Sequence, residues 1–412
     1  RRVGVPMLVF VAALGLLPAI AALGLLPCPA TRWSPATGAS PATADERTIL
    51  RPVHAPASAA GSAEAELEWL REHADDLMAS LDEAGALHFR GFCTSTTKPG
   101  FRRFCEALPL QPCTDPLASI GVRSLLAKDE GVYEAVNAQA LAATYIGLHN
   151  DATWALTAPF AAFVCFEPAP RGGAFLVADG RRVLAELDPA LVDQFCARNV
   201  SIRVVQFDAS PLLARCTGAA APLRAPLASA IAALVGFVLS VAVPLGLVVA
   251  WAEDGHTLQV LERPKPALNA HPISGTASWF SSLHSQAAHL QRRRAGPGGE
   301  SGELGGVAVT DAFYGDLEPI EEGALERIDE VVMRSVRRVE MRPGDVVLLD
   351  SYQVLHGREP FSGAREHGVM WLTSSHFAPA VGTAGEGGGD DGSPAGALSR
   401  IVNWLAVKRR GV

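Results

Sequence analysis

The tripeptide His149-Asn150-Asp151 places two metal-ligating side chains two positions apart. On an extended backbone such residues point to the same side of the chain, so His149 and Asp151 could bind one metal ion. A distant histidine would complete a facial set of two imidazoles and one carboxylate. This set is typical of non-haem iron(II) sites, because it leaves positions open for a cosubstrate and dioxygen.

A second segment offers the missing histidine and a fixed cation. The apolar residues 346–349 predict a strand that leads to His356, and Arg365 follows beyond a turn that contains Pro360 and Gly363. From there Arg365 could return beside His356 on the neighbouring strand. The planar guanidinium of arginine binds a carboxylate through two hydrogen bonds, which suits the far end of a carboxylate cosubstrate. Taken alone, Arg365 would be interpreted as a surface residue.

Hydrophobic patterns predict the elements that must hold these residues. Short apolar runs indicate buried strands at residues 161–166, 174–178, 346–349 and 369–372. Helical spacing of apolar residues indicates helices at residues 63–81, 182–196 and 321–338. Strands separated by turns, with helices at the margins, predict a mainly β fold with flanking helices, either a barrel or a jelly roll.

The overall composition excludes some classes of partner and site. The chain has 412 residues, of which 49% are hydrophobic, so a sizeable core can form without disulfides. The net charge of -8, and the lack of a basic stripe interleaved with aromatics, argue against a nucleic-acid partner. The seven cysteines are odd in number and contain no C-x-x-C pair, which argues against a zinc finger or a disulfide framework.

The two ends of the chain differ from this central part. Residues 1–30 contain an apolar, uncharged run of membrane-spanning length, which favours a signal anchor over a cleaved signal peptide. Residues 31–62 are rich in Pro, Ala, Ser and Thr and predict a flexible linker, so the folded domain is expected at residues 63–378. A Gly-rich linker at residues 379–396 then precedes an amphipathic basic tail at residues 397–412, which could bind a membrane surface or dock on the domain.

A second apolar stretch, residues 225–252, interrupts the predicted domain. It contains no charged residue and is long enough to cross a membrane. A single crossing would place the two halves of the domain on opposite sides, so a buried or membrane-surface helix is favoured over a span. Residues 1–30 predict membrane association, on endomembranes or the secretory route.

Seven sequence blocks, in order and at similar spacing across residues 85–375, resemble the taurine-dioxygenase-like family, which includes clavaminate-synthase-like enzymes. The blocks are A-L-H-F-R-G-F (86–92), L-H-N-D (148–151), F-E-P-A-P-R-G-G (166–173), D-G-H-T-L-Q-V (254–260), H-P-I-S-G-T-A-S-W-F (271–280), F-Y-G-D-L-E-P-I (313–320) and R-P-G-D-V-V-L-L-D-S-Y-Q-V-L-H-G-R-E-P-F-S-G-A-R (342–365). The resemblance implies a double-stranded β-helix, or jelly roll, that holds iron(II) and 2-oxoglutarate.

Carried over residue by residue, the resemblance implies that His149, Asp151 and His356 are the iron ligands and form the catalytic centre. Arg365 matches the arginine that binds the distal carboxylate of 2-oxoglutarate, and Arg358 is the second candidate for that role. Because the carboxylate ligand is present, hydroxylation or another oxidation is favoured over halogenation. The expected reaction hydroxylates an unactivated C–H bond of a small, polar, amino-acid-like molecule and releases succinate and carbon dioxide. Ascorbate could serve as a reductant.

The chain departs from the family pattern after the Gly172-Gly173 pair. The family has an acidic residue and then a threonine whose hydroxyl helps to hold 2-oxoglutarate, whereas this chain has Ala174 and Phe175. Phe175 cannot form that hydrogen bond, so either another group compensates or the affinity for the cosubstrate is weakened. This departure and the apolar stretch 225–252 motivate an alternative function, a catalytically weak or inactive membrane-anchored relative that acts as a binding protein.

Overall fold

The computed structural model describes residues 49–377 of the protein, with the exception of 60, 114–124, 128–130, 135–136, 138–140, 151–156, 211–212, 214–223, 243–246, 296–309 and 376. The predicted segments 1–30, 379–396 and 397–412 therefore lie outside the described residues. The same is true of the predicted ligand Asp151.

The larger of two facing sheets has eight strands. Seven of them follow in the hydrogen-bonded order β1 (Leu50–His54), β2 (Ala86–Arg90), β17 (Val346–Asp350), β7 (Phe160–Glu167), β20 (Glu366–Thr373), β5 (Val132–Glu134) and β4 (Leu125–Ala127), and β3 (Gln111–Pro112) pairs with β20. β7 lies in the middle of this sheet, between β17 and β20. Its almost continuous apolar sequence follows from this position, because a central strand is buried on both faces.

The smaller sheet has four strands, in the order β16 (Arg337–Val339), β9 (Phe175–Asp179), β18 (Val354–Arg358) and β6 (Ile146–His149). All three pairings are antiparallel, so partner residues share a face of the sheet. Phe175 and Val177 face the larger sheet, where they pack with Phe163, Val347 and Trp371 in one buried cluster. Two sheets packed face to face around this cluster form the predicted double-stranded β-helix.

Helices cover the outer faces of both sheets. The larger sheet is covered by α1 (Ala63–Glu72), α2 (Ala74–Ala84) and α3 (Lys98–Glu106), through one buried cluster that includes Leu67, Leu81, Phe104 and Leu348. α1 begins after Ser62, whose side chain accepts a hydrogen bond from the Ala65 amide, and α2 ends at Gly85, which has a left-handed φ of 90°. The helix predicted at residues 63–81 is therefore two helices that meet at His73.

The remaining described α-helices are α4 (Gly180–Glu186), α5 (Pro189–Arg198), α6 (Arg224–Ala242), α7 (Leu283–Gln286), α8 (Ala288–Ala295) and α9 (Glu322–Ser335). All of these except α6 share a buried cluster with the outer face of the smaller sheet, which includes Val183, Phe195, Leu290, Ile328 and Leu355. Along β9 and β18, the outward-facing Leu176 and Leu355 alternate with the inward-facing Phe175 and His356. One face of the sheet thus supports the helical layer, and the other face forms the barrel interior.

A third sheet has the strand order β11 (Leu247–Trp251), β12 (Thr257–Glu262), β10 (Val200–Asp208) and β15 (Asp311–Tyr314). Two short strand pairs are β13 (Leu268–Ala270) with β14 (Ala277–Trp279), and β8 (Arg171–Gly172) with β19 (Phe361–Ser362). The pairing of β8 with β19 brings the Gly172-Gly173 turn beside the segment that leads to Arg365.

The apolar stretch 225–252 does not form the single helix that its composition predicts. It is divided between α6 and β11, and β11 pairs with β12 in antiparallel register. α6 packs on this sheet through Ile231 and Val249. The prediction was wrong because Pro244 and Gly246 interrupt the helical pattern, and the residues after them form a hairpin strand. Among the described residues, no helix is long and apolar enough to cross a membrane.

The linker predicted at residues 31–62 is wrong over its last part. Residues 50–54 form β1, which pairs in parallel register with residues 86–90 of β2. The composition hid this strand, because a short strand at the edge of a sheet tolerates a proline such as Pro52. The predicted domain boundary at residue 63 therefore lies inside the fold.

Asp345 links β2 to the start of β17. Its buried carboxylate accepts hydrogen bonds from Arg90 (2.7 Å), from His88 (3.1 Å) and from the Arg342 amide (2.9 Å). Burial by itself would raise the pKa of Asp345, but these hydrogen bonds outweigh it and lower the pKa to about 2. The carboxylate is therefore more acidic in the folded chain than in the unfolded chain.

We expect Asp345 to contribute stability that is lost in acid. Because its pKa is depressed on folding, the contribution is present above the unfolded value and disappears as the pH falls from about 4 to about 2. Its size is about 2 kcal/mol in the free energy of unfolding. Urea unfolding at neutral pH and in this acid range should show a smaller pH-dependent loss for Asp345→Asn than for the wild type. The exposed Asp193→Asn variant is the control, and equal losses in wild type and Asp345→Asn would contradict the assignment.

Candidate active site

The predicted ligands His149 and His356 lie on neighbouring strands of the smaller sheet. They are direct cross-strand partners in β6 and β18, and their ring centroids are 4.5 Å apart. In the same ladder Ile146 pairs with Arg358. Between this pair and the histidine pair, the chain therefore advances three residues in β6 but only two in β18. This bulge turns both Ile146 and His149 to the inside of the barrel, where they line one cavity.

Gly357 makes the close approach of these two strands possible. A Cβ atom at this position would lie 2.5 Å from the carbonyl oxygen of Ile146 and 3.2 Å from that of Gly147. A larger residue would therefore push β18 away from β6, and the two histidines would separate.

The tautomer of His149 is suited to metal binding. Its Nδ1 lies 2.8 Å from the carbonyl oxygen of Gly147. A carbonyl oxygen can only accept a hydrogen bond, so Nδ1 carries the proton and Nε2 keeps its lone pair. Histidines that bind metals are held in this way, with one ring nitrogen donating to the protein and the other left for the metal. The two imidazoles therefore fit an iron(II) ion as donors.

The third predicted ligand, Asp151, falls in the segment 151–156 that the structure does not describe. The residue before it is well anchored, because Asn150 Nδ2 donates to the carbonyl oxygens of Ser351 (3.0 Å) and Val354 (3.1 Å). The chain thus leaves β6 beside the start of β18. Within the described ranges, no group of three histidine, cysteine or carboxylate side chains could hold a metal. The assignment of Asp151 as a ligand stays a prediction.

The cavity next to the two histidines also contains both predicted arginines. Its volume is about 40 Å³, which is space for only a few water molecules. The lining residues are Ile146, His149, Phe163, Phe175, His356, Gly357, Arg358, Arg365, His367 and Val369. A larger, open cleft of about 740 Å³ shares His367 with this cavity, but none of the predicted site residues line that cleft. The smaller cavity is therefore the candidate site.

Arg358 and Arg365 form a buried cationic wall of this cavity. Arg365 donates from Nη1 to Asn137 Oδ1 (2.8 Å), and both guanidinium groups lie over the ring of Phe361, at 4.7 Å for Arg358 and 5.5 Å for Arg365. Arg358 donates to the carbonyl oxygens of Glu359 (2.7 Å) and of Leu141 (2.9 Å). These contacts fix the directions of the two side chains.

The charge of Arg358 is not balanced by a carboxylate in the part of the chain that the structure describes. The pKa of Arg358 is lowered to about 10, and burial is the only cause of this shift. Its Nε atom is buried and has no hydrogen-bond partner among the described residues. His367, beside it, has a pKa well below its usual value, because it is buried and lies near Arg365 and Arg358. A buried cation of this kind favours an anionic ligand such as a carboxylate.

The charges of this cavity fit 2-oxoglutarate, but its volume does not. The ring of Phe175 stacks on His356, with centroids 6.0 Å apart and planes at 15°. Phe163 lies 4.8 Å from each of these two rings. The rings of Phe163 and Phe175 fill the interior beside the two predicted ligands, and the space that the described residues leave, about 40 Å³, is smaller than a dicarboxylate. With Phe175 in this position, the described residues leave little space for the cosubstrate beside the two arginines.

Sequence analysis missed Phe163 and His367 as lining residues. His367 lies two positions after Arg365, so the alternation of a strand would place both side chains on one face. That signal was available in the sequence. Phe163 lies opposite Val369 in the larger sheet and faces the cavity only because the two sheets close on each other. No local pattern could have identified it.

Comparison with known proteins places the chain in a family. The family model described as "Taurine catabolism dioxygenase TauD, TfdA family" matches residues 50–372. The chain belongs to this family. Its fold, a double-stranded β-helix, and its class, an iron(II)- and 2-oxoglutarate-dependent dioxygenase, are thus confirmed as the sequence blocks predicted. The match also begins at β1, which supports the revised domain boundary.

Three individual proteins show how similar this chain is to known members and structures. The dapdiamide synthesis protein DdaC of Enterobacter agglomerans is 26% identical over 296 residues, which cover 69% of this chain and 81% of that protein. Enduracididine beta-hydroxylase of Streptomyces hygroscopicus is 36% identical over 58 residues, or 14% of this chain and 17% of that protein. A crystal structure of asparagine oxygenase with Fe(II), 3-hydroxyasparagine and succinate has a TM-score of 0.44 at 14% identity, covering 78% of this chain and 92% of that chain. None of these comparisons supports the alternative of an inactive binding protein.

Proposed function

We propose that this TauD/TfdA family member hydroxylates an unactivated C–H bond of a small, polar, amino-acid-like molecule, with release of succinate and carbon dioxide. The observation that carries the proposal is the pairing of His149 with His356 in a buried cavity that also contains Arg358 and Arg365. The name of one relative, a beta-hydroxylase, supports hydroxylation as the outcome. Ascorbate would serve only to keep the iron reduced.

In this proposal His149, Asp151 and His356 hold the iron(II), which when bound supplies the activation of dioxygen. The Gly147 carbonyl holds the His149 ring in the orientation that presents Nε2 to the metal. The Phe163 ring packs against His356 and limits its rotation. Apolar side chains around both imidazoles, among them Ile146, Phe163 and Val369, limit the water in the barrel interior, which protects a reactive site from side reactions.

Arg365 and Arg358 supply the positive charge that would hold the distal carboxylate of the cosubstrate. Arg365 is already oriented by Asn137, and the ring of Phe361 supports both guanidinium groups from one side. Because these side chains are ordered before binding, little conformational entropy is lost when the ligand binds. The planar fork of arginine also favours a carboxylate over a spherical anion.

The proposed substrate class is tested by oxygen labelling. The full chain, with iron(II), ascorbate and 2-oxoglutarate, is incubated under ¹⁸O₂ with a panel of polar amino acids and a matched panel of fatty acids. We expect succinate release to be stimulated by a member of the first panel, and that compound to gain one labelled oxygen. Stimulation and labelling confined to the fatty acids would overturn the amino-acid-like class.

We also propose that residues 1–30 anchor the protein to a membrane of the secretory route. The apolar, uncharged composition of this segment supports the proposal. In fractionated cells we expect the full chain in the membrane pellet after an alkaline carbonate wash. A chain that lacks residues 1–30 should appear in the supernatant. Equal distribution of the two chains would contradict an anchor in this segment.

A further inference from the structure

The side chain of Phe175 lies where the imidazoles and the arginines of the active site meet. On β9 it is the cross-strand partner of Arg358 in β18 and of Val339 in β16, so it points into the barrel at the level of Arg358. From there its ring leans to stack on His356, at 6.0 Å. The ring thus occupies the space between the cationic wall and the metal ligands.

The surroundings hold this ring in place. β9 is an inner strand, bonded to β16 on one side and to β18 on the other, so its backbone cannot move without breaking a ladder. From the opposite sheet the Phe163 ring contacts Phe175 at 4.8 Å, and Phe163 is in turn supported by Trp371 at 6.0 Å. Phe175 itself is only 4% exposed. Space can therefore open only by rotation of the Phe175 side chain.

We propose that Phe175 is an internal plug that limits the binding of 2-oxoglutarate, so that the cosubstrate enters only when this ring swings away from His356. The inference rests on the proposed function, because it takes Arg358 and Arg365 as the groups that attract the second carboxylate. A 2-oxo acid with a second carboxylate must pass the ring to reach these arginines. A 2-oxo acid without one, such as pyruvate, has no need to pass it.

The proposal predicts a gain of affinity when the ring is removed. Calorimetric titrations of 2-oxoglutarate and of pyruvate would use the full chain loaded with Mn(II), which binds the same donors without turnover. We expect Phe175→Thr to bind 2-oxoglutarate at least about tenfold more tightly than the wild type, because no ring has to be displaced. Its affinity for pyruvate should change by less than about twofold.

A matched pair of conservative variants guards against misfolding. Phe175→Leu and Phe195→Leu each remove one ring from a fully buried position, but Phe195 lies in the helical layer outside the cavity. Only Phe175→Leu should bind 2-oxoglutarate more tightly. Metal titration of each variant gives a separate readout of whether the histidine pair is intact.

Two outcomes would overturn the plug. If Phe175→Thr and Phe175→Leu bind 2-oxoglutarate as the wild type does, the ring is no obstacle, and the proposed function still stands. If they bind it more weakly, Phe175 is a contact of the cosubstrate rather than a barrier. Failure of the proposed function looks different, because then neither the wild type nor any variant binds 2-oxoglutarate although all of them bind Mn(II).

Discussion

His149→Ala is expected to lower succinate release by about 10³-fold or more and to weaken Mn(II) binding sharply. The substitution removes one of two imidazoles that face each other at 4.5 Å, and a metal held by the remaining donors would lose its fixed geometry. His149 is only half-buried, and its neighbours in β6 keep their ladder bonds to β18. The fold should therefore survive the change.

The control for this result is His271→Ala. His271 is as buried as His356, but it does not line the cavity and pairs instead with Asp350 at 3.0 Å. Its removal should leave Mn(II) binding at the wild-type level. The assignment of His149 would be wrong if the two variants bound Mn(II) equally well. Circular dichroism of both variants shows whether a loss reflects the metal site or the fold.

Arg365→Ala is expected to raise the dissociation constant for 2-oxoglutarate by at least about 100-fold. A hydrogen bond to a charged group contributes about 1.5–3 kcal/mol, and a bidentate contact has two of them. The effect is best measured in the Phe175→Thr background, where the ring no longer opposes binding. Pyruvate, which lacks the second carboxylate, should bind with little change.

Two further variants test which arginine is responsible for the loss of affinity for 2-oxoglutarate. Arg338→Ala removes an exposed arginine of the neighbouring cleft that pairs with Glu359, so it controls for the loss of positive charge near the site. Its affinity for 2-oxoglutarate should equal that of the parent. Arg358→Ala tests the second candidate. A large loss in Arg358→Ala together with none in Arg365→Ala would assign the carboxylate to Arg358 and refute the role given to Arg365.

Some of the fold could be predicted from local sequence alone. The apolar run of β7 predicted a buried strand, because a strand covered on both faces needs no polar residue. The helix of residues 321–338 was predicted from its spacing and appears as α9. Short or mixed elements were missed. β1 was hidden in a Pro-rich stretch, and α6 and β11 were merged, because composition averages over lengths greater than these elements.

The chemistry of the site could be predicted from the sequence, whereas the space around the predicted ligands depends on the tertiary structure. His149, His356 and Arg365, taken together with the seven sequence blocks that resemble the family, were enough to predict a metal and a carboxylate cosubstrate. Whether Phe175 merely lacks a hydroxyl or fills the cavity depends on its register with Arg358 and on the sheet that faces it. Such contacts join residues far apart in the chain, and only the closed barrel brings them together.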